Sequence, residues 1–295
     1  MPQLPDLSII FGTVDRPDPL FRCVKGILED PSRQGRSVEV VIIDGGDSHR
    51  YGRRAYEALK ERGVDAHVLL EVERRGHVAA YNAAAGYSSG KALLWLNDDA
   101  VIRPGTIGAC IDFARKAPWA IGAIDWTDKD GPLGCQSCNG GIPYANFGVL
   151  ARELWFELGG FSPEYRHCGA DCDLSLRAWN SNDGILVVPV TGAAIDHERY
   201  QDDGRAHNER DAWSGDDTKT FNAKWARQAG PLGDHIYRKY GEAARDCGFT
   251  ARLPGWPIFW AGVITVVATE QPTSDEVYRN WTLVHPAGRR TVIAA

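Results

Sequence analysis

Short apolar runs alternate along the first half of the chain with segments whose apolar residues fall on one helical face. Leu7, Ile9, Ile10 and Phe11 make the first run, stopped by Gly12, and Val38, Val40, Val41, Ile42 and Ile43 make the second, stopped by Asp44 and Gly45. Nearly continuous apolarity is what a strand covered on both faces needs, so both runs predict buried parallel strands. Between them Leu20, Val24, Ile27 and Leu28 recur at helical spacing, and Asp30-Pro31 closes that helix. The alternation continues with a helix over 51–62 ended by Gly63, a strand over 66–70, an alanine-rich helix over 78–87 and a strand over 92–96. A helix over 105–116 and a strand over 120–125 follow. This order predicts an α/β fold with a mostly parallel, doubly wound sheet flanked by helices.

The second half is less regular. Residues 127–146, rich in Gly, Asp, Asn and Cys, read as a long loop over a site or as a hairpin. Short helices are predicted over 152–158 and 171–180, and strands over 184–188 and 193–196. Residues 198–217 are polar and charged and predict a mobile loop. Helices near 218–228 and 234–247 and a β-rich tail (259–269, 281–285, 290–293) complete a mixed α/β C-terminal extension, with a boundary placed between residues 215 and 216.

Composition narrows the function. A chain of 295 residues with 43% hydrophobic content can bury the core of one large α/β unit with an appendage. The net charge of −6 and the lack of a basic run argue against a nucleic-acid surface. Asp6, Asp15 and Asp18 interrupt the first thirty residues, and the longest apolar stretches, such as 258–268, are shorter than a membrane span. The expectation is a soluble, cytoplasmic protein whose oligomeric state the sequence leaves open. Seven scattered cysteines predict reduced thiols, the alternative being a zinc site made by Cys135, Cys138, Cys168 and Cys172 with His167.

The chemistry concentrates where apolar runs end. Asn97-Asp98-Asp99 leaves the strand over 92–96, and paired carboxylates at the carboxyl end of such a strand suit Mg²⁺ or Mn²⁺ holding a diphosphate. His197 closes a later apolar segment, and Asp171 and Asp173 open a helix. Two residues along a helix turn about 200°, so these two carboxylates face different ways and Asp173 is expected to pair with Arg177.

Four blocks in order resemble an inverting family 2 nucleotide-sugar glycosyltransferase of the GT-A fold: Ser8 to Thr13 with Asp15-Arg16-Pro17; Val41 to Ser48; Gly76 through Asn82 to Asp99; and Gly159-Gly160-Phe161 through Asp171 to Arg177, followed by His197. The resemblance spans residues 7–200. It implies a Rossmann-like nucleotide-sugar binding and catalytic domain over 1–215, with Asp99 and His197 as metal ligands and Asp98 on the ribose or just outside the metal. It further places Asp44 and Thr13 at the nucleotide base, Arg16 and Asn82 along the nucleotide, and Asp171 as the base that deprotonates the acceptor. Mn²⁺ or Mg²⁺ is the implied cofactor, and a UDP-sugar the foremost donor, with dTDP- and GDP-sugars as alternatives. The implied acceptor is a glycan, a protein or a small molecule. Relatives often carry an acidic or amide residue where this chain has Gly45, and a Glu where it has Ala170. Those departures leave a catalytically silent nucleotide- or carbohydrate-binding module as the alternative function. A nucleotidyltransferase is disfavoured because residues 12–15 form an acidic loop rather than a glycine-rich, arginine-bearing one.

Overall fold

Thr13 and Asp44 end two neighbouring strands at the same level, and this shared carboxyl edge is where the sheet presents its polar groups. The computed structural model describes residues 4–128, 131–132, 136–137, 143–181, 185, 187–198, 212–226, 282–284 and 290–292. Strands β1 (Leu7–Thr13), β2 (Val38–Asp44), β3 (Asp65–Leu70) and β4 (Ala92–Trp95) are parallel in the order β3-β2-β1-β4. Helices α1 (Pro17–Glu29), α2 (Arg50–Glu61) and α3 (His77–Tyr87) are the connections, as the periodicity predicts. Side chains alternate between two cores, because successive strand residues point to opposite faces. Ile9, Phe11, Val40, Ile42 and Leu94 pack under α1 with Leu20, Val24 and Ile27, whereas Ile10, Val41, Ile43, Leu93 and Trp95 pack under α3 with Val78, Tyr81, Ala84 and Ala85.

Past β4 the sheet becomes mixed. In chain order there follow β5 (Ala100–Ile102), α4 (Thr106–Lys116), β6 (Ile121–Asp128), β7 (Gly131–Pro132), β8 (Gln136–Ser137), β9 (Pro143–Tyr144) and β10 (Gly148–Ala151). Then come α5 (Arg152–Glu157), α6 (Ala170–Asn180), β11 (Val187–His197) and α7 (Ala212–Phe221), which continues into a π-helical turn. Strand β10 runs antiparallel between β4 and β6, β11 is parallel to β6, and β5 is antiparallel at the edge beside β11. Strands β5 and β10 depart from the expected doubly wound parallel arrangement, being too short to leave a period in the sequence.

The two strands expected over 184–196 are one, β11, with a register shift between Pro189 and Ala194. Within the expected loop over 127–146, β7 folds back on β6 and β8 pairs with β9. The expected loop over 198–217 is corrected at its end, because α7 starts at Ala212 and buries Asp217; the boundary drawn at 215 falls inside that helix. Strands β12 (Thr282–Val284) and β13 (Arg290–Val292) pair antiparallel, while the predicted helix over 234–247 and strand over 259–269 lie outside the described residues. No helix among the described residues is long and apolar enough to cross a membrane.

The expected Asp173–Arg177 pair forms, with Arg177 Nε donating to Asp173 at 2.7 Å. Asp173 is fully buried and also takes Lys224 Nζ at 2.9 Å, Trp225 Nε1 at 3.0 Å and the Tyr165 hydroxyl at 3.3 Å. It therefore joins α6 to the turn after α7. Removing one partner of a buried ionic cluster strands the others, so Asp173→Ala should lower stability by about 3–5 kcal/mol. Urea unfolding measures this, and a loss under about 1 kcal/mol, the value of an exposed pair, would show the cluster to be dispensable.

Candidate active site

The carboxyl edge of the parallel strands opens into a cavity of about 460 Å³ whose wall includes Thr13, Arg16, Asp98, Asp99, Asp171 and His197. Each arrives for a local reason. Asp98 and Asp99 follow β4 in a turn closed by the Ala100 amide on the Asn97 carbonyl at 3.1 Å. His197 ends β11 opposite Ala100 of β5, so the antiparallel register of two short strands carries it to Asp99 across ninety-eight residues of sequence. Asp171 stands in the first turn of α6, whose cap Gly169 adopts φ +80°, a left-handed conformation open to glycine at little cost.

The acidic pair is tightly held. Thr13 Oγ1 donates to Asp98 Oδ2 at 2.8 Å, and the Arg16 guanidinium bridges Asp98 Oδ1 and Asp99 Oδ2, the latter at 3.2 Å. His197 Nε2 lies 3.1 Å from Asp99 Oδ1. Burial pushes the Asp99 carboxyl up, but the hydrogen bond and charge of His197 and the Arg16 guanidinium outweigh it and hold the group well below the ordinary carboxylate range. The His197 ring is clamped edge-on by Trp126 and Phe147, with centroids at 5.4 and 5.1 Å, and its Nδ1 is buried with no hydrogen-bond partner among the described residues. Aromatic packing therefore fixes the ring in place of the usual second hydrogen bond.

This pair fits a divalent ion. Two ligand atoms at right angles on an ion with bonds of about 2.0–2.2 Å stand about 3 Å apart. The observed Nε2 to Oδ1 separation of 3.1 Å matches that spacing. An ion held here would share Asp99 with Arg16.

Asp171 behaves differently from the pair. Burial pushes its carboxyl up to about 6, against the lowering effect of the Cys172 amide, which donates to Oδ1 at 2.9 Å. A carboxylate that titrates near neutrality inside a cleft suits proton transfer.

Two expected residues lie elsewhere. The Asp44 carboxylate accepts from the Gly46 amide at 2.9 Å and the Gly52 amide at 3.1 Å, so it organises the turn into α2 and is not part of the cavity wall. Asn82 is likewise off the wall, its amide donating to the Phe161 carbonyl at 2.7 Å and accepting from the Phe161 amide at 3.0 Å.

Residues 8–136 match the sequence profile of Glycosyl transferase family 2. The chain is 26% identical to the O-antigen biosynthesis protein RfbC of Myxococcus xanthus, over 83% of this chain and 21% of that protein. Its fold is similar to that of GalNAc-T7, solved with UDP, GalNAc and Mn²⁺ (TM-score 0.56, 15% identity, covering 80% of this chain and 54% of that one). It is also similar to the mannosyltransferase PcManGT of Pyrobaculum calidifontis, solved with GDP-Man and Mn²⁺ (TM-score 0.55, 17% identity, 84% and 72% coverage). The likeness to Glycosyl transferase family 2 lies in the first half of this chain. Its fold is GT-A. It spans only about a fifth of the length of the curated relative.

Several residues on the cavity wall are not marked by a strand end. Glu71, Arg74, His77, Tyr81 and His167 all line it. A side chain at Gly45 would come within 3.0 Å of Glu71 Oε2, so Glu71 occupies space beside the position where the resemblance expects a second polar group. Its one mark in the sequence is a charge just past β3. Burial, helped by neighbouring His167, lowers His77 to about 3 and keeps its ring neutral. Trp155 is core, packed against Trp95 and Phe161. Trp225 is buried against Asp173. Cys168 and Cys172 stand on the cavity wall, whereas Cys135 and Cys138 lie outside the described residues.

Proposed function

We propose that the protein is a metal-dependent, inverting glycosyltransferase that moves a sugar from a nucleoside diphosphate to a hydroxyl of a glycan, protein or small-molecule acceptor. The observation that carries this is that Asp98, Asp99, His197 and Asp171 share one cavity. Asp99 and His197 would hold Mn²⁺ or Mg²⁺, which when bound neutralises the charge of the departing diphosphate. Arg16 adds a fixed positive charge beside the same pair. The Asp171 carboxylate accepts the proton of the acceptor hydroxyl as its oxygen attacks the anomeric carbon. The bond from that carbon to the diphosphate breaks, its electron pair leaves with the diphosphate, and attack from the opposite face inverts the configuration. A UDP-sugar is the foremost donor, since GalNAc-T7 was solved with UDP; GDP- and dTDP-sugars are alternatives, PcManGT having been solved with GDP-Man. A cytoplasmic location is proposed with it.

The test is release of nucleoside diphosphate from a panel of UDP-, GDP- and dTDP-sugars with and without Mn²⁺. One donor should give metal-dependent release. Only the ionised form of Asp171 accepts a proton, so the rate should be low below its midpoint near 6 and rise as pH passes upward through it. Tight binding without release from any donor would instead support the silent module suggested by Ala170 and Gly45, and a pH-independent rate would remove Asp171 from the step.

A further inference from the structure

Asp217 lies in α7, beyond the segment matched by the family profile, and is only 3% exposed. Its carboxylate accepts from three consecutive backbone amides of a distant loop: Arg166 at 3.0 Å, His167 at 2.7 Å and Cys168 at 2.9 Å. Successive amides that converge on one anion form a nest. Residues 162–169 belong to no helix or strand, so these donors have no ladder to join, and Asp217 satisfies them.

The same loop is held from its other side by α3. The Val78 amide donates to the Arg166 carbonyl at 3.1 Å, and Gly76, at φ +101°, lies so close that a Cβ would stand 2.7 Å from that oxygen. Immediately after the nest Gly169 turns the chain into α6, and two residues later Asp171 meets the cavity. His167 and Cys168 of the nest line the cavity too. A carboxylate about fifty residues downstream thus holds the segment that leads into α6.

We propose that Asp217 is a positioning residue: by filling the amide nest of residues 166–168 it fixes the turn that presents Asp171 to the cavity, which makes α7 part of the catalytic unit. This rests on the reading of Asp171 as the proton acceptor. Asp217→Asn keeps the size but offers one acceptor oxygen and turns an NH₂ group toward amides, so the turn should loosen and admit water around Asp171.

The experiment uses the full chain with ¹³C-labelled aspartate, the Asp171 carboxyl signal being assigned by its loss in Asp171→Asn. Its titration is followed by NMR in wild type and Asp217→Asn, alongside kcat and KM for nucleotide release from UDP-GlcNAc and GDP-mannose with Mn²⁺. The Asp171 midpoint should fall toward the ordinary carboxylate range, and kcat should fall by about 10- to 100-fold, within the span of a general-base contribution, while KM stays within about two-fold. A merely structural Asp217 would lower the melting temperature and leave both the midpoint and kcat of the folded protein unchanged, which would overturn the proposal. If Asp217→Asn does not fold, Asp217→Glu, which keeps the charge but shifts it by one methylene, is read by the same midpoint. A wild-type protein inert toward the whole panel of UDP-, GDP- and dTDP-sugars would count against the transferase reading, and the NMR comparison would still decide the part played by Asp217.

Discussion

Asp171→Asn should reduce sugar transfer by about 10²- to 10⁴-fold, the range a positioned general base contributes, while nucleotide binding stays intact. The substitution preserves the shape of the side chain and the Cys172 amide contact, because the amide oxygen can still accept from it. It removes the carboxylate oxygen proposed to accept the proton. Asp171 reaches the cavity from α6, whereas Asp98 and Asp99 follow β4 and His197 ends β11, so calorimetry with nucleoside diphosphate and Mn²⁺ should return the wild-type affinity. A variant that keeps near-native turnover would refute the assignment, and one that loses nucleotide binding as well would mean that Asp171 contacts the donor.

Asp99→Ala should make nucleotide affinity indifferent to Mn²⁺, a loss of about 100-fold in the presence of the ion, since even partners of metal ligands cost 10- to 100-fold. Asp99 is the group on which His197 and Arg16 both converge, and its depressed titration keeps it anionic and ready to bind a cation. The alanine variant leaves Asp98 paired with Thr13 and Arg16, so the pocket should persist without the ion. Titrations of nucleoside diphosphate with and without Mn²⁺ measure the difference. If the variant keeps the full response to Mn²⁺, the ion is held elsewhere and the reading of His197 falls with it.

The residues behind these two expected losses differ in how clearly the amino-acid sequence marks them. Asp98 and Asp99 announce themselves by following an apolar run, whereas Asp171 shares its helix start with Asp173 and is singled out by the resemblance. His197 carries no such local mark, because a histidine ending a strand is ordinary; the family resemblance singles it out, and the register of β11 on β5 brings it to Asp99. Asp44 and Asn82 show the opposite case. Both sit at the positions the resemblance names, yet their polar atoms are taken by the backbone of Gly46, Gly52 and Phe161. Position in the chain does not reveal that those partners come first. Asp217 is hidden for another reason, since a polar stretch with glycines gives no hint that one of its carboxylates is buried under a loop fifty residues upstream.

Period and punctuation in the sequence are enough to mark the four parallel strands, the three helices between them and the strand ends where charged residues collect, because apolar runs and one-sided helices are local patterns that burial in a covered sheet imposes. Strands β5 and β10, the pairing of Asp99 with His197 and the Asp217 nest are decided only in three dimensions. Each joins segments that are short, or far apart in the chain, and whose partners are fixed by packing against the finished sheet, so no local pattern records them.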